Sequence, residues 1–311
     1  MTLYTAEFFA SQYGRSLGSA RVILGELFKI YSPQSVVDVG CGVAPWLRAA
    51  QELGVGEVAG LDGDYVDRSH LLIDPSCFIA CDLETARLAG VVPGQTFDLV
   101  LCMEVAEHLS EPRAASFVED LTALGSVILF SAAIPFQGGE HHINEQWPEY
   151  WALLFRGLGY DCADFLRELV WADPKVDWWY AQNTLIFFRK NHAVAERLAP
   201  LAVPLRHTLA RVHPGNYLDQ ILKWFHTYRY EAAAEEYADL HTLLQAYQSG
   251  ATRLPLLQAL ARATANPGAS DVFPRTRSEQ SVPEEVQAAL QSRIKELQRE
   301  LDESKGAAVS K

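Results

Sequence analysis

Short apolar runs recur along the first two-thirds of the chain: Val36–Val39, Val58–Leu61, Cys77–Cys81, Phe97–Cys102 and Ser126–Phe130. Helix-compatible segments, Trp46–Leu53 and Pro112–Leu124 among them, lie between these runs. Residues 6–30 read as a helix, with Phe8, Phe9, Leu17, Val22, Leu24, Leu27 and Phe28 as apolar positions and Pro33 ending the stretch. Asn183–Arg189 reads as one more strand, closing the sheet. Strands alternating with helices predict an α/β fold, a parallel sheet covered by helices on both faces.

Beyond residue 192 the pattern changes. Residues 193–265 are helical in character, broken by Pro200, Pro204, Pro214 and Pro255, and form a helical accessory region. Residues 266–283 carry Pro267, Gly268, Pro274 and Pro283 among polar residues and read as a linker. Residues 284–311 read as a tail helix. There Leu290, Ile294, Leu297 and Leu301 keep a 4-3-4 spacing, the seam of a short coiled coil or the buried stripe of a solvated helix. Tyr217, Trp224, Phe225, Tyr228, Tyr230 and Tyr237 suit packing between helices or a subunit interface, so a homo-oligomer through the C-terminal helices is one expectation. A lid over the active site is another. The first helix, residues 1–30 with Tyr4, Phe8, Phe9 and Tyr13, is read as an N-terminal helical lid.

The chain has 311 residues, 49% apolar and 21% charged, enough for a sizeable core. Its net charge of −13 resides in residues 1–190, with 12 basic against 25 acidic side chains; the remainder is neutral. Such an acidic first region repels phosphate backbones and counts against nucleic acid as a partner. The 5 cysteines include no C-x-x-C pair, which argues against a zinc knuckle or a disulfide framework. No apolar run is long enough to span a bilayer and Met1–Glu7 does not read as a signal peptide. The expected location is cytoplasmic.

Candidate chemistry concentrates at Val36-Val37-Asp38-Val39-Gly40-Cys41-Gly42-Val43-Ala44-Pro45-Trp46-Leu47, a buried strand entering a two-glycine turn and then a helix. Glycines there let the backbone approach a ligand. A dinucleotide site wants glycine at the third position of G-x-G-x-x-G, where this chain has Pro45. Asp38 suits a cationic ligand better than a pyrophosphate. Asp62 ends Val58–Leu61 where a ribose diol would be gripped, and Asp82 ends Phe78–Cys81 where it can accept from an adenine amino group. Acids at three strand ends describe a cationic adenosine ligand without phosphates.

Asp38-Val39-Gly40-Cys41-Gly42, Leu61-Asp62, Cys81-Asp82-Leu83 and Phe97-Asp98-Leu99-Val100 resemble the ordered motifs of class I, Rossmann-like, S-adenosylmethionine-dependent methyltransferases. The resemblance covers residues 31–192. It implies a seven-stranded, mostly parallel sheet with helices on both faces and the last strand antiparallel, followed by the C-terminal helical appendage. It implies S-adenosylmethionine as cofactor, with Asp38 and Gly40 at its methionine end, Asp62 at the ribose and Asp82 at the adenine. Cys41, Gly42, Gly63, Cys81, Leu83 and Met103 complete the expected cofactor set. Ala44 takes the place of the usual third glycine.

Methyl transfer needs an aligned nucleophile, exclusion of water and removal of a proton. Two segments fall where substrate lies over the strand ends: Cys102-Met103-Glu104-Val105-Ala106-Glu107-His108-Leu109, and Pro135-Phe136-Gln137-Gly138-Gly139-Glu140-His141-His142-Ile143-Asn144-Glu145-Gln146-Trp147. If the first is helical, Glu104, Glu107 and His108 share one face. The expected catalytic set is His142, His141, Glu107 and His108, with His142 favoured over His141 as general base. A competing reading joins Glu104, Glu107, His108 and His142 as ligands of a divalent cation such as Mg²⁺. The Glu-x-x-Glu-His pattern resembles that of metal-dependent small-RNA 2′-O-methyltransferases and of some ubiquinone-pathway O-methyltransferases. A third reading has these groups holding the loop by hydrogen bonds.

Trp147, Trp151, Trp171, Trp178 and Trp179, with Tyr150 and Tyr180, fall close together beside Asn144, Gln146, Gln182 and Asn183. Aromatic faces next to amides suit a sugar ring, although Trp151 and Leu154 at helical spacing read as core. The Gly139–Trp147 and Trp178–Asn183 stretches are similar to bacterial methyltransferases associated with glycan and secondary-metabolite assembly. That resemblance implies O-methylation of a small molecule, a sugar or glycosylated metabolite. The alternatives are 2′-O-methylation of an RNA end and a non-catalytic cofactor-binding partner protein.

Overall fold

The computed structural model describes residues 6–92, 94–204 and 208–220, with side chains from residue 14 onward. Seven strands form one sheet: β1 (Ser35–Val39), β2 (Glu57–Asp62), β3 (Phe78–Ala80), β4 (Leu99–Met103), β5 (Val127–Ser131), β6 (Tyr160–Ala163) and β7 (Leu185–Arg189). Their order is β3-β2-β1-β4-β5-β7-β6. β1 to β5 pair in parallel, for example Val37 with Ala59 and Val100 with Ile128, whereas β7 runs antiparallel to both β5 and β6. The sheet is therefore mixed, with its antiparallel strand placed inside the edge.

The helices that accompany it are α1 (Ala6–Phe28), α2 (Pro45–Glu52), α3 (Leu88–Val91), α4 (Ala114–Leu124), α5 (Pro148–Gly157), α6 (Leu166–Val170), α7 (Trp178–Asn183) and α8 (Ala195–Leu198). Successive strand residues feed two separate cores. Val36, Leu99, Leu101, Leu129 and Ile186 pack with Ile23, Leu24 and Leu27 of α1 and Leu47 and Ala50 of α2. Val37, Val39, Val100, Ile128 and Phe187 pack with Phe117 and Leu121 of α4 and Trp151 and Phe155 of α5. Burial on both faces is why the strands read as continuous apolar runs.

Several boundaries differ from the sequence reading. Ile23, Leu24 and Leu27 are fully buried, so the second half of α1 is a layer of the core rather than a lid. Tyr4, Phe8, Phe9 and Tyr13 lie outside the described side chains. Asn183 ends α7 instead of opening the last strand, and Trp178 and Trp179 open that helix. Tyr160–Ala163, without an apolar run of its own, pairs with β7 at the end of the sheet and makes a single further bridge, Ala163 with Ala202. Of the accessory region, α8 and a helical stretch at 214–220 are described. The linker, the tail helix with its Leu290–Leu301 seam, and Trp224, Phe225, Tyr228, Tyr230 and Tyr237 lie outside the described residues. No described helix is long and apolar enough to cross a membrane.

Candidate active site

The strand order reverses between β1 and β4, and an open α/β sheet binds ligands at the carboxyl ends of the strands flanking that reversal. Gly40 follows β1 at φ +81°, and a Cβ on it would lie 2.3 Å from Cγ2 of Val105, just after β4. Only glycine lets the two turns come this close. Gly40 and Cys41 donate their N–H groups to the Leu61 carbonyl, at 2.7 and 3.2 Å. Gly42 (φ +53°) and Ala44 (φ +65°) continue the left-handed path, and Pro45 then opens α2 at its first turn. Ala44 thus adopts a conformation that costs an L-residue roughly 1–2 kcal/mol.

Asp62, at the end of β2, is buried and accepts from the Gly42 N–H at 2.7 Å, the Gly63 N–H at 2.6 Å and the Tyr65 hydroxyl at 2.5 Å. Asp38 is buried one strand away, and its Oδ2 has no hydrogen-bond partner. Burial, and then the Asp62 charge, push the Asp38 carboxyl well above its usual range. An orphaned buried carboxylate calls for a donor or cation. A sulfonium amino acid joined to ribose supplies both a cation and hydroxyls, so these residues fit S-adenosylmethionine. A cleft of about 970 Å³ opens here, its wall including Gly40, Gly63, Tyr65, Cys81, Asp82, Leu83, Glu104 and His108.

On the far side of the cleft, Glu104 stands at φ +57° directly after β4. Its N–H donates to both the carbonyl and the hydroxyl of Ser131, each at 3.0 Å. Its carboxylate accepts from Asn183 Nδ2 at 3.0 Å and Gln137 Nε2 at 3.1 Å. Burial raises the Glu104 carboxyl, and those amide donors work against the rise. Glu107 follows in a single 3₁₀ turn, Ala106–His108. It is fully buried, and neither carboxylate oxygen has a hydrogen-bond partner. Burial, reinforced by Glu104, raises it well above the usual range.

Glu107, His108 and His142 can each offer one ligand atom, and these atoms all lie within 4.8 Å of one another. The Glu107 carbonyl accepts from the Ile143 and Asn144 N–H groups, at 2.9 and 3.0 Å, which ties this turn to the loop after β5. His142 Nδ1 lies 2.9 Å from Glu145 Oε1. Glu145 also accepts from the Phe136 and Gly138 N–H groups at 2.8 and 2.7 Å, so it is anchored before it holds the ring. Burial, together with the facing His142, lowers the His108 pKa. A neutral imidazole is the form that binds a metal.

A family model described as a methyltransferase domain matches residues 19–199, more than half of the chain. The chain belongs to this family. Among curated proteins it is similar to the ribosomal protein L11 methyltransferase of Fusobacterium nucleatum, 29% identical over 119 residues, which cover 37% of this chain and 36% of that protein. It is similar also to the mitochondrial ubiquinone biosynthesis O-methyltransferase of Schizosaccharomyces pombe, 29% identical over 105 residues, 32% of this chain and 38% of that one. The chain thus matches little more than a third of the length of these relatives. Among solved structures it is similar to magnesium protoporphyrin IX methyltransferase from Synechocystis PCC 6803 with bound SAH, at 15% identity and a TM-score of 0.42, covering 61% of this chain and 90% of that chain. Residues 19–199 are a methyltransferase domain.

Within the methyltransferase domain, the structure separates some residues that the sequence reading joined. Glu104, expected to share one helical face with Glu107 and His108, follows β4 in a left-handed backbone that starts no helix; its carboxylate accepts from Gln137 and Asn183 and stays close enough to Glu107 to help raise that carboxyl. It stands outside the Glu107–His108–His142 cluster. His141, also at positive φ, has an exposed ring beside Glu140 at 3.8 Å, while its backbone bonds to His108. Met103 packs into the core beneath α1 and α2 rather than lining the cleft. Both Asp82 oxygens take local partners, the Glu84 N–H and the Thr85 hydroxyl, although the residue does line the cleft.

The tryptophans mostly serve packing. Trp151 is buried against Phe130, Trp171 lies against His213, and Trp178 and Trp179 contact each other. None of the five lines the cleft. Two residues went unassigned in the sequence reading, Glu145 and Tyr65. Each lies three positions after the group it touches, His142 and Asp62, and that spacing was the available signal.

Proposed function

We propose that the chain transfers a methyl group from S-adenosylmethionine to a hydroxyl of a small polyhydroxylated acceptor, a sugar or glycosylated metabolite. The cluster of Glu107, His108 and His142 carries this reading. An unsatisfied carboxylate and two imidazoles, one lowered in pKa, make an O/N donor set suited to a divalent cation such as Mg²⁺. A cation there would supply Lewis acidity to an acceptor hydroxyl. Glu145 holds His142 by Nδ1, which leaves Nε2 for the cluster. The donor end is assigned to Asp38 for the cationic amino acid portion, Asp62 for the ribose, and Cys81, Asp82 and Leu83 for the adenine, with Gly40, Cys41, Gly42 and Gly63 giving backbone access. The sulfonium supplies the electrophilic methyl group. The chain's part is to align the acceptor oxygen with it and to exclude water.

The wall of the cleft supports this acceptor class. Asp64, Asp82, Glu84 and Glu104 line it, no Lys or Arg among the described residues does, and Tyr65, Leu109 and Ile143 add apolar surface. Such a wall disfavours a polyphosphate strand and accepts an uncharged molecule with hydroxyl edges and an apolar face. The test is methyl incorporation from labelled S-adenosylmethionine into glycosides, nucleotide sugars, catechols and short RNAs, each with and without a chelator. Labelling of a hydroxylated small molecule that stops on chelation supports the reading. Labelling of RNA alone overturns the acceptor class, and labelling indifferent to chelation overturns the cation.

A further inference from the structure

We propose that Tyr65 is an internal competitor of the cofactor: in the free domain its hydroxyl takes the place on Asp62 that a ribose hydroxyl takes on binding. The inference rests on the reading of Asp62 as the ribose acceptor and adds what sets the affinity of that site.

Counting lone pairs leads to it. A carboxylate oxygen has two lone-pair positions. Oδ1 of Asp62 accepts from the Gly63 N–H at 2.6 Å and the Tyr65 hydroxyl at 2.5 Å, and is full. Oδ2 accepts from the Gly42 N–H at 2.7 Å and has one position left. A ribose diol brings two hydroxyls and needs two acceptor positions. It cannot be held by both oxygens while the tyrosine stays.

That hydrogen bond holds the tyrosine hydroxyl on the carboxylate. Its side chain is 84% exposed, so little packing fixes it, and it forms part of the cleft wall. The chain has also made room for the fold-back. A Cβ on Gly63 would stand 2.1 Å from Cε1 of Tyr65, so any larger residue at 63 would drive the ring off Asp62. A side chain that swings away on its χ angles can still cover the adenosine afterwards. Its hydroxyl, however, subtracts from binding, because its bond to the carboxylate must break first.

Removing only the hydroxyl separates competition from covering. Tyr65→Phe keeps the ring and loses the bond to Asp62. Water refills part of the vacated position, which keeps the gain modest: S-adenosylhomocysteine should bind the full-length variant about three- to tenfold more tightly than wild type. The measurement is calorimetric titration of both proteins with S-adenosylhomocysteine and with its 2′,3′-dideoxyribose analogue. The gain should appear with the diol and vanish with the analogue, an outcome that a general change in loop stiffness would not give. Equal or weaker binding by Tyr65→Phe, or the same gain with both ligands, overturns the proposal alone. Failure of folded wild type to bind S-adenosylhomocysteine overturns the assignment of Asp62 and this proposal with it.

Discussion

The rings of His108 and His142 meet edge to face, with 4.8 Å between centroids and 88° between planes. They come from loops after different strands, β4 and β5, and are brought together because the Glu107 carbonyl accepts two N–H groups from the second loop. An edge-to-face pair beside an unpartnered carboxylate directs ring nitrogens and carboxylate oxygens toward common ground, which supports reading the group as a cation site.

Glu145 gives the sharpest test of that site short of its ligands. Among the described residues it bonds to His142 and to the Phe136 and Gly138 N–H groups. Glu145→Gln should lower the affinity for Mn²⁺, followed by its electron paramagnetic signal, by roughly 10- to 100-fold. Binding of S-adenosylhomocysteine should be unaffected. Equal weakening of both would mean that Glu145 merely keeps the loop folded.

Asp38 predicts a pH dependence. Its folded pKa is raised above the ordinary 3.8, so the fold disfavours the charged form. The associated stability is complete below the ordinary value and is lost as pH rises through the raised one. Melting temperature of the cofactor-free protein should therefore fall with rising pH more steeply in wild type than in Asp38→Asn. Saturating S-adenosylmethionine should flatten the wild-type slope, because its cationic amino group offsets the buried charge. Parallel slopes for the two proteins would contradict the assignment.

The two glycines of the turn should respond differently to alanine. At Gly40 a methyl group meets Val105 at 2.3 Å and the backbone is left-handed, whereas at Gly42 nothing lies within 4 Å and only the left-handed backbone is a cost. Gly42→Ala should lose about 1 kcal/mol of unfolding free energy. Gly40→Ala should lose that and a further ~1–3 kcal/mol from overpacking. Urea denaturation of the two variants checks the order, and equal losses would contradict the close approach of the two turns.

Gln182 joins the domain to the segment beyond residue 199. Its side-chain N–H groups donate to Gln137 Oε1 and Asn183 Oδ1 at 2.9 and 3.0 Å, and its Oε1 accepts from the His213 N–H and Asn216 Nδ2 at 2.8 and 3.2 Å. It is fully buried. Gln182→Leu removes these four hydrogen bonds from a buried position and should cost ~1–3 kcal/mol. Limited proteolysis should then cut within 208–220 sooner than in wild type. Unchanged cleavage would show that this amide does not hold the segment.

What the chain discloses in advance is the part governed by local pattern. Parallel strands buried on both faces must be apolar throughout, so β1, β2, β4 and β5 stand out, and glycines and acids at strand ends mark the cofactor turn. Tyr160–Ala163 pairs at an edge with a half-buried Asp161 among its four residues, which leaves no such signature. Glu104 takes a positive φ that its residue type does not announce, so a spacing argument drew a helical face where the chain makes a single 3₁₀ turn. The tryptophans misled for a similar reason. Whether an aromatic ring faces a ligand or the core depends on neighbours distant in sequence, such as Phe130 for Trp151 and His213 for Trp171.

The most direct test is a double measurement on His142→Ala: binding of S-adenosylhomocysteine, and transfer of label from S-adenosylmethionine to a hydroxylated small-molecule acceptor identified with the wild type. The account expects normal binding, loss of transfer, and no restoration by Mg²⁺. Transfer at the wild-type rate in this variant would contradict it.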